Sequence, residues 1–300
     1  MRRTPWAFAP LVAAVLWGGL YVVSKWTFAA IPPITLAFIR VSLGAATLLV
    51  VVRRYYPDRS FSRRDWYGFG VIAIWLAVSL ATQFLGTDLT TAGEGSLITV
   101  TTPVFTVLMG VLVLGESVTF RRAAGVLAAL VGTAVVVAGR HDPSTLGAGA
   151  GVGIAMLVLA SVTWAGYTVW GAPLIRRYSA LETATYSTAL VVPLFALAVP
   201  LELHFTDASI GLDAFTLPVL AAIVYLGVAG TAVAWYCWYK GLEYLDAGTV
   251  AVFLFAQPVV GAALGAAFLG EPLGTGFLLG GAMMAAGIYV VSTDRVDEGA

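Results

Sequence analysis

An all-α polytopic membrane protein, with ten transmembrane helices arranged as two inverted five-helix repeats, is predicted by three observations. The chain of 300 residues is 60% hydrophobic and only 11% charged, with a mean hydropathy of +0.92, far from the balance of a soluble domain. Its apolar residues fall into ten runs long enough to cross a bilayer. One stretch occurs twice in the same register: Thr102-Pro103-Val104-Phe105 running on to Gly115-Glu116, and Gln257-Pro258-Val259-Val260 running on to Gly270-Glu271. The gapless overlay also places Leu85-Gly86 on Lys240-Gly241, Ala92-Gly93 on Ala247-Gly248, and Gly110, Gly125 and Gly132 on Gly265, Gly280 and Gly287.

A membrane helix needs about 20 mostly apolar residues. On that rule the spans lie at roughly 7–29, 34–52, 66–87, 92–114, 121–139, 150–172, 181–200, 215–239, 247–269 and 274–292. The first repeat is then 1–139 and the second 150–292. Met1-Arg2-Arg3 before an apolar run mimics a signal peptide, but the run outlasts a cleavable core and reads as the first span.

Lys and Arg collect between alternate spans. Arg2, Arg3, Arg53, Arg54, Arg59, Arg63, Arg64, Arg121, Arg122, Arg176, Arg177, Lys240 and Arg295 fall on one side, leaving Arg140 and Lys25 on the other. The positive-inside rule therefore puts both termini in the cytoplasm. Five spans per half is an odd number, so the second half enters from the opposite side. Inverted repeats of this kind mark secondary transporters, whose sites lie near the midplane where the halves meet.

Net charge is zero, which argues against a nucleic-acid partner. The single Cys237 can form neither an intrachain disulfide nor a multi-thiol metal cage. No metal and no cofactor is expected. There is no His-Glu-x-x-His and no nucleophile elbow, and His141 and His204 fall in loops, so the chain is not expected to be an enzyme. Gly147, Gly149, Gly151 and Gly153 lack the spacing, the strand and the Lys of a nucleotide loop.

Arg40 is the basic residue deepest in a span, where charge is costly and faces a cavity or a partner. It either holds a substrate carboxylate or pairs structurally with Glu94, Asp88 or helix carbonyls; Ser187 stands nearest its place in the second half. Pro103 and Pro258 interrupt matched helices as candidate hinges and free the carbonyls of Thr99 and Leu254 for a ligand or a neighbour. Thr101, Thr102 and Gln257 add neutral hydrogen-bonding groups beside them. Trp17 with Tyr21, and Trp235 with Tyr239, are four apart and share a face; Trp75, Ser79 and Gln83 form a mixed stripe, and Trp164 and Tyr167 sit in the second half. Together these are candidates for a small-molecule cavity, with an interfacial aromatic belt as the alternative; Trp66 and Tyr67 read as belt. Gly125, Gly132, Gly139, Gly276, Gly280 and Gly287 suit close helix packing within the chain. Glu116 and Glu271 read as caps of the helices that follow them.

Trp17-Gly18 and Trp164-Ala165-Gly166 in the first span of each half, Arg40 in the second, Thr102-Pro103 and Gln257-Pro258 in the fourth, then Leu114-Gly115-Glu116 and Leu269-Gly270-Glu271 before a glycine-rich fifth, resemble the EamA-type drug/metabolite transporters. Within them the chain resembles the bacterial amino-acid exporters of the YddG type. The resemblance covers nearly the whole chain. It implies an exporter in the bacterial inner membrane for small zwitterionic metabolites, amino acids including aromatic ones, working by alternating access. Without a Walker-type loop or a deep membrane carboxylate, facilitated diffusion without ion coupling is expected. The alternatives are an exporter of drugs, nucleosides or sugars, or a proton-coupled carrier. The expected partners are the small-molecule substrate and the lipid bilayer, with the chain a monomer or a weak homodimer.

Overall fold

The computed structural model describes residues 5–57, 59–90, 92–138, 150–206, 208, 210–260 and 275–292. Among them the secondary structure is helical throughout, with no strand. Glu271, Arg140, Gly139 and His141 lie outside the described residues. A turn at Pro5–Phe8 leads into α1 (Ala9–Gly18), and Gly19 separates it from α2 (Leu20–Thr27). α3 (Pro33–Tyr55) opens on proline, whose missing N–H costs nothing in a first turn, and closes on Arg53 and Arg54, which suit the negative end of its dipole. α4 (Arg63–Leu89) starts on a capping box in which Asp65 N–H donates to Ser62 Oγ and Ser62 N–H donates to Asp65 Oδ2 at 2.8 Å.

The run expected as one helix over 92–114 is instead α5 (Ala92–Thr99), α6 (Thr102–Met109) and a π-helical turn Gly110–Leu114. It stops at Gly115, whose φ of 68° is the left-handed conformation that ends helices and favours glycine. α7 (Phe120–Ala138), α8 (Ala150–Arg177) and α9 (Ala180–Thr206) follow. α10 (Leu217–Val224) continues through π-helical Tyr225–Val233 into α11 (Ala234–Leu242). α12 (Ala247–Val252) is capped by Asp246 Oδ1, which accepts from Thr249 N–H at 2.7 Å, and runs into a tight 3₁₀ turn, Phe253–Phe255. α13 (Thr275–Ser292) completes the described elements.

Among the described residues six helical rods are long and apolar enough to cross a membrane: Trp6–Thr27, Pro33–Tyr55, Arg63–Leu89, Gly151–Arg177, Ala180–Thr206 and Leu217–Leu242, with shorter apolar helices at Thr102–Leu114, Ala247–Val260 and Leu278–Val291. The rods pack in antiparallel pairs drawn from opposite halves of the chain. α4 lies along α8, with Gly68 against Leu174 at one end and Gly86 against Leu157 at the other. α1 lies along the α10–α11 rod, with Pro10 on Gly241 and Trp17 beside Gly230. α3 lies along α9, where both oxygens of the Glu202 carboxylate cap the start of α3 by accepting from Ile34 N–H at 2.6 Å and Thr35 N–H at 2.7 Å. α3 also touches the π segment of the α10–α11 rod, α4 touches α9, and α6 touches α12.

α7 pairs with α13 through glycines, as expected for packing within the chain. A Cβ on Gly132 would lie 2.6 Å from the Gly280 carbonyl oxygen and 2.9 Å from Met283 Cβ, so the two backbones touch only because no side chain intervenes. Gly132→Leu is therefore expected to cost about 1–3 kcal/mol by overpacking. Gly151→Leu, where an added Cβ meets nothing within 4 Å, serves as control. Thermal unfolding of the purified variants in detergent compares the two; equal melting temperatures would contradict this packing.

Candidate functional site: a cavity among broken helices

Four rods around the centre are interrupted near one cavity: α1/α2 at Gly19, α5/α6 at Val100 and Thr101, the α10–α11 rod by nine π-helical residues, and α12 by its 3₁₀ turn. Interrupted helices expose backbone groups that must find partners inside the protein. The Gly230 carbonyl accepts from Trp17 Nε1 at 2.8 Å and from Arg40 Nη2 at 3.2 Å. Arg40 Nε donates to Thr231 Oγ1 at 2.8 Å, and the Tyr225 hydroxyl donates to the Leu16 carbonyl. Gly44, one turn after Arg40, lets α3 sit directly against Thr231 and Gly227, which delivers the guanidinium to the π segment.

Arg40 is 1% exposed, with its Cζ 5.4 Å from the centre of the Phe84 ring and 5.7 Å from that of Trp235. Of the carboxylates considered for it, Asp88 lies beside Lys25, at 3.9 Å between Nζ and Oδ1, and the Glu94 side chain lies outside the described residues. Among the described residues Arg40 has no carboxylate partner, and its Nη1 has no hydrogen-bond partner of any kind. Ser187, its counterpart by position, is buried and donates to the Thr183 carbonyl.

Trp17, Tyr21, Arg40, Ser79, Gln83, Thr99, Thr102, Trp164, Trp235 and Gln257 line one cavity, together with Leu20, Leu80, Ala160 and Leu254. The space around these side chains totals about 450 Å³, part of it open to the outside, and about 40 Å³ is wide enough for the centre of a water molecule, so the cavity is a narrow slot. Gln83 Nε2 donates to the Tyr21 hydroxyl at 2.6 Å, which in turn shares a 2.7 Å bond with Thr99 Oγ1. Ser79 Oγ donates to the Ala160 carbonyl at 2.9 Å. Trp17 meets Trp164 edge to face at 5.1 Å, and Trp235 lies 6.3 Å from Trp164.

Three candidates lie elsewhere. Trp75 packs on Trp170 at 5.4 Å, over Gly166, whose missing side chain makes room for its ring. Tyr167 and Tyr239 stack on one another at 4.8 Å, and the Tyr239 hydroxyl donates to the Tyr167 carbonyl at 3.3 Å. Tyr239 does follow Trp235 by one turn, but its phenol lies against Gly171 on α8, while the Trp238 ring stands 5.4 Å from Trp17 and its Nε1 donates to Thr168 Oγ1. Sequence reasoning missed Leu20, Leu80 and Ala160, whose apolar side chains carry no signal that separates a cavity wall from packing. Pro103 sits in the first turn of α6 rather than inside a helix, and the break precedes it. The Thr99 carbonyl, expected to be free, accepts from Thr102 Oγ1 at 2.6 Å. Pro258 falls in the helical turn 256–260 after the 3₁₀ segment.

Glu116 does not cap the helix that follows it. Its carboxylate reaches across to the start of α12, accepting from Ala247 N–H at 2.9 Å and Gly248 N–H at 3.2 Å. Arg122, 2% exposed, lies 4.0 Å from Glu116 and donates to Asp246 at 2.5 Å, to Thr249 Oγ1 at 3.1 Å and to the Ser117 carbonyl at 2.9 Å. Burial, and next the Asp246 charge, push the Glu116 carboxyl above its usual value against the pull of its amide donors and Arg122.

Comparison with known proteins bears on this arrangement. The model of the EamA-like transporter family matches the chain twice, at residues 4–138 and 151–293. A probable terminal-alkyne amino-acid exporter of Streptantibioticus cattleyicolor is 31% identical over 207 residues, covering 67% of this chain and 64% of that one. A probable amino-acid metabolite efflux pump of Salmonella typhimurium is 27% identical over 294 residues, covering 94% and 93%. An uncharacterized transporter of Archaeoglobus fulgidus is 26% identical over 286 residues, covering 95% and 97%. A protein of known crystal structure superimposes with a TM-score of 0.79 at 20% identity, over 99% of this chain and all of that one, a likeness of fold. With the family model covering both halves of a multi-pass helical chain whose helices line a polar and aromatic cavity, this protein belongs to the EamA-like transporter family.

Proposed function

We propose that the chain is an inner-membrane carrier that exports small zwitterionic metabolites, amino acids including aromatic ones foremost, by alternating access and without ion coupling. The observation that carries this reading is the narrow slot in which a guanidinium lacks a carboxylate partner among the described residues, between indole walls and neutral hydroxyl and amide groups. Such a mixture of apolar wall and few convergent polar groups is the usual composition of a small-molecule site. One of the similar proteins is named a probable terminal-alkyne amino-acid exporter and another a probable amino-acid metabolite efflux pump.

The helix pairing supports ten spans in two inverted repeats, 1–139 and 150–292. Number the spans so that the α1–α2 rod is first and α13 tenth. The contacts third-to-sixth and eighth-to-first then exchange when every span is moved by five, as do second-to-eighth and seventh-to-third, while second-to-seventh and fifth-to-tenth map onto themselves. Such an exchange is what a two-fold relation between the halves would produce, and an odd number of spans per half favours an axis in the membrane plane, the frame on which secondary transporters rock around a central site. The basic residues between alternate spans favour both termini in the cytoplasm. The uncoupled mechanism rests on a lining that, among the described residues, holds neither carboxylate nor histidine.

Uptake into liposomes containing the purified protein, over a panel of amino acids with and without a pH gradient, tests this. At least one amino acid is expected to move above empty liposomes, unchanged by the gradient. If none moves while a drug, nucleoside or sugar does, the substrate class is wrong. A requirement for the gradient would overturn the uncoupled mechanism.

A further inference from the structure

The slot offers a donor surplus in one place. Arg40 Nη1, Trp164 Nε1 and Trp235 Nε1 are each buried and each lack an acceptor among the described residues. All three residues line the slot. They are also contiguous, since the Trp235 ring lies 5.7 Å from Arg40 Cζ and 6.3 Å from the Trp164 ring. An N–H shut away from water without a partner is costly, and all three groups donate only. Their common complement is a group that accepts only and carries negative charge. An ionised carboxylate, with two oxygens and about four lone-pair sites, meets both requirements.

The opposite pole is not built to match. Among the described lining residues no carboxylate is present to balance a substrate ammonium group. Of the aromatic rings nearest Arg40, Phe84 and Trp235 each already have its guanidinium over one face. The Tyr21 hydroxyl and Thr99 Oγ1 bond to one another, and Gln83 donates to Tyr21, which leaves that cluster largely satisfied. A second cation entering this slot would meet repulsion from Arg40 in a low-dielectric setting, with only neutral dipoles to offset it.

Resting on the carrier reading above, we propose that Arg40, Trp164 and Trp235 form a carboxylate-recognition pole and that the site does not read the amine. The ligand class is a monocarboxylate with an uncharged body, of which an amino acid is one case. Blocking or deleting the α-amine leaves recognition intact, whereas masking or removing the carboxylate abolishes it.

The test is equilibrium binding to the full-length protein in detergent, followed by intrinsic tryptophan fluorescence and by thermal shift. One series is phenylalanine, N-acetylphenylalanine, 3-phenylpropionate, phenylalaninamide and phenethylamine. The second is valine, N-acetylvaline, isovalerate, valinamide and isobutylamine. In at least one series the blocked-amine and amine-free acids should bind at least as tightly as the parent amino acid, with the amide and the amine at least about tenfold weaker. Trp164→Phe and Trp235→Phe keep an aromatic ring and delete the N–H. Each is expected to weaken the acids about tenfold while leaving the weak binding of the amine unchanged. An amine that binds as tightly as its acid overturns the proposal, and so does failure of every acid to bind. Wild-type protein alone decides between these outcomes, should a variant fold poorly. The liposome assay separates this inference from the functional reading. Amino-acid transport that the blocked-amine acids do not compete with would sink the inference and spare the carrier; acids that bind while no amino acid is transported would do the reverse.

Discussion

Arg40→Ala should lower amino-acid transport, measured as kcat/KM in liposomes, by about 30-fold or more, because losing one partner of a desolvated charge-assisted contact costs about 2 kcal/mol upward. The same substitution should leave the melting temperature level or raise it. Arg40 is buried without a carboxylate partner among the described residues, and an uncompensated buried charge is a cost to the fold that alanine relieves. Its two hydrogen bonds among the described residues are to neutral acceptors, Thr231 Oγ1 and the Gly230 carbonyl, and Gly230 retains its bond from Trp17. Arg40→Lys keeps a cation but loses the planar fork that spans these acceptors and leaves Nη1 free, so partial transport is expected. Transport and thermal unfolding measured on the same preparations settle the matter. A drop in stability with substrate affinity unchanged would mean that Arg40 is a structural member of the α3–π-segment contact.

What was readable in the sequence, and what was not, follows from the range over which each signal acts. Hydropathy is local and additive, so the rods at Pro33–Tyr55 and Ala180–Thr206 fall on runs expected at 34–52 and 181–200. Four-residue spacing placed Trp17 beside Tyr21 and Ser79 beside Gln83 on the cavity wall, because one helix face suffices to fix each pair. The same spacing failed for Tyr239, whose ring stacks on Tyr167 and fits against Gly171, both on a different helix. It failed for Trp75 because Gly166, on a different helix, offers the indole a flat seat beside Trp170. The π-helical stretch Tyr225–Val233 left no mark in composition. It reads as ordinary apolar span, yet its Gly230 carbonyl anchors both Trp17 and Arg40. Glu116 carried the mark of a capping residue, but the amides it caps are 131 and 132 residues away, and local sequence cannot identify them.

That misplaced cap leads to the second large effect. Arg122→Ala is expected to cost about 3–5 kcal/mol, since it removes the cation from a buried cluster and leaves carboxylates behind. Glu116 and Asp246 both hold amides of the first turn of α12, and Asp246 raises the Glu116 carboxyl by its charge, so the two repel one another across Arg122. The pH dependence has a definite sign. A carboxyl raised in the folded state binds its proton more tightly there than in the unfolded chain. Its contribution to stability is therefore fully present below the ordinary carboxylate value and is lost as pH rises through the raised one. Burial is the main cause of the rise and Arg122 opposes it, so removing Arg122 moves Glu116 further up and widens the window of loss. The gap in melting temperature between wild type and Arg122→Ala should accordingly be small at about pH 4 and grow towards pH 7.5. Glu116→Gln, which keeps a side-chain oxygen for one α12 amide but cannot ionise, should flatten that dependence when combined with Arg122→Ala. A gap that is independent of pH, or that narrows as pH rises, would show that Arg122 stabilises this end by packing along its stem rather than by holding the two carboxylates together.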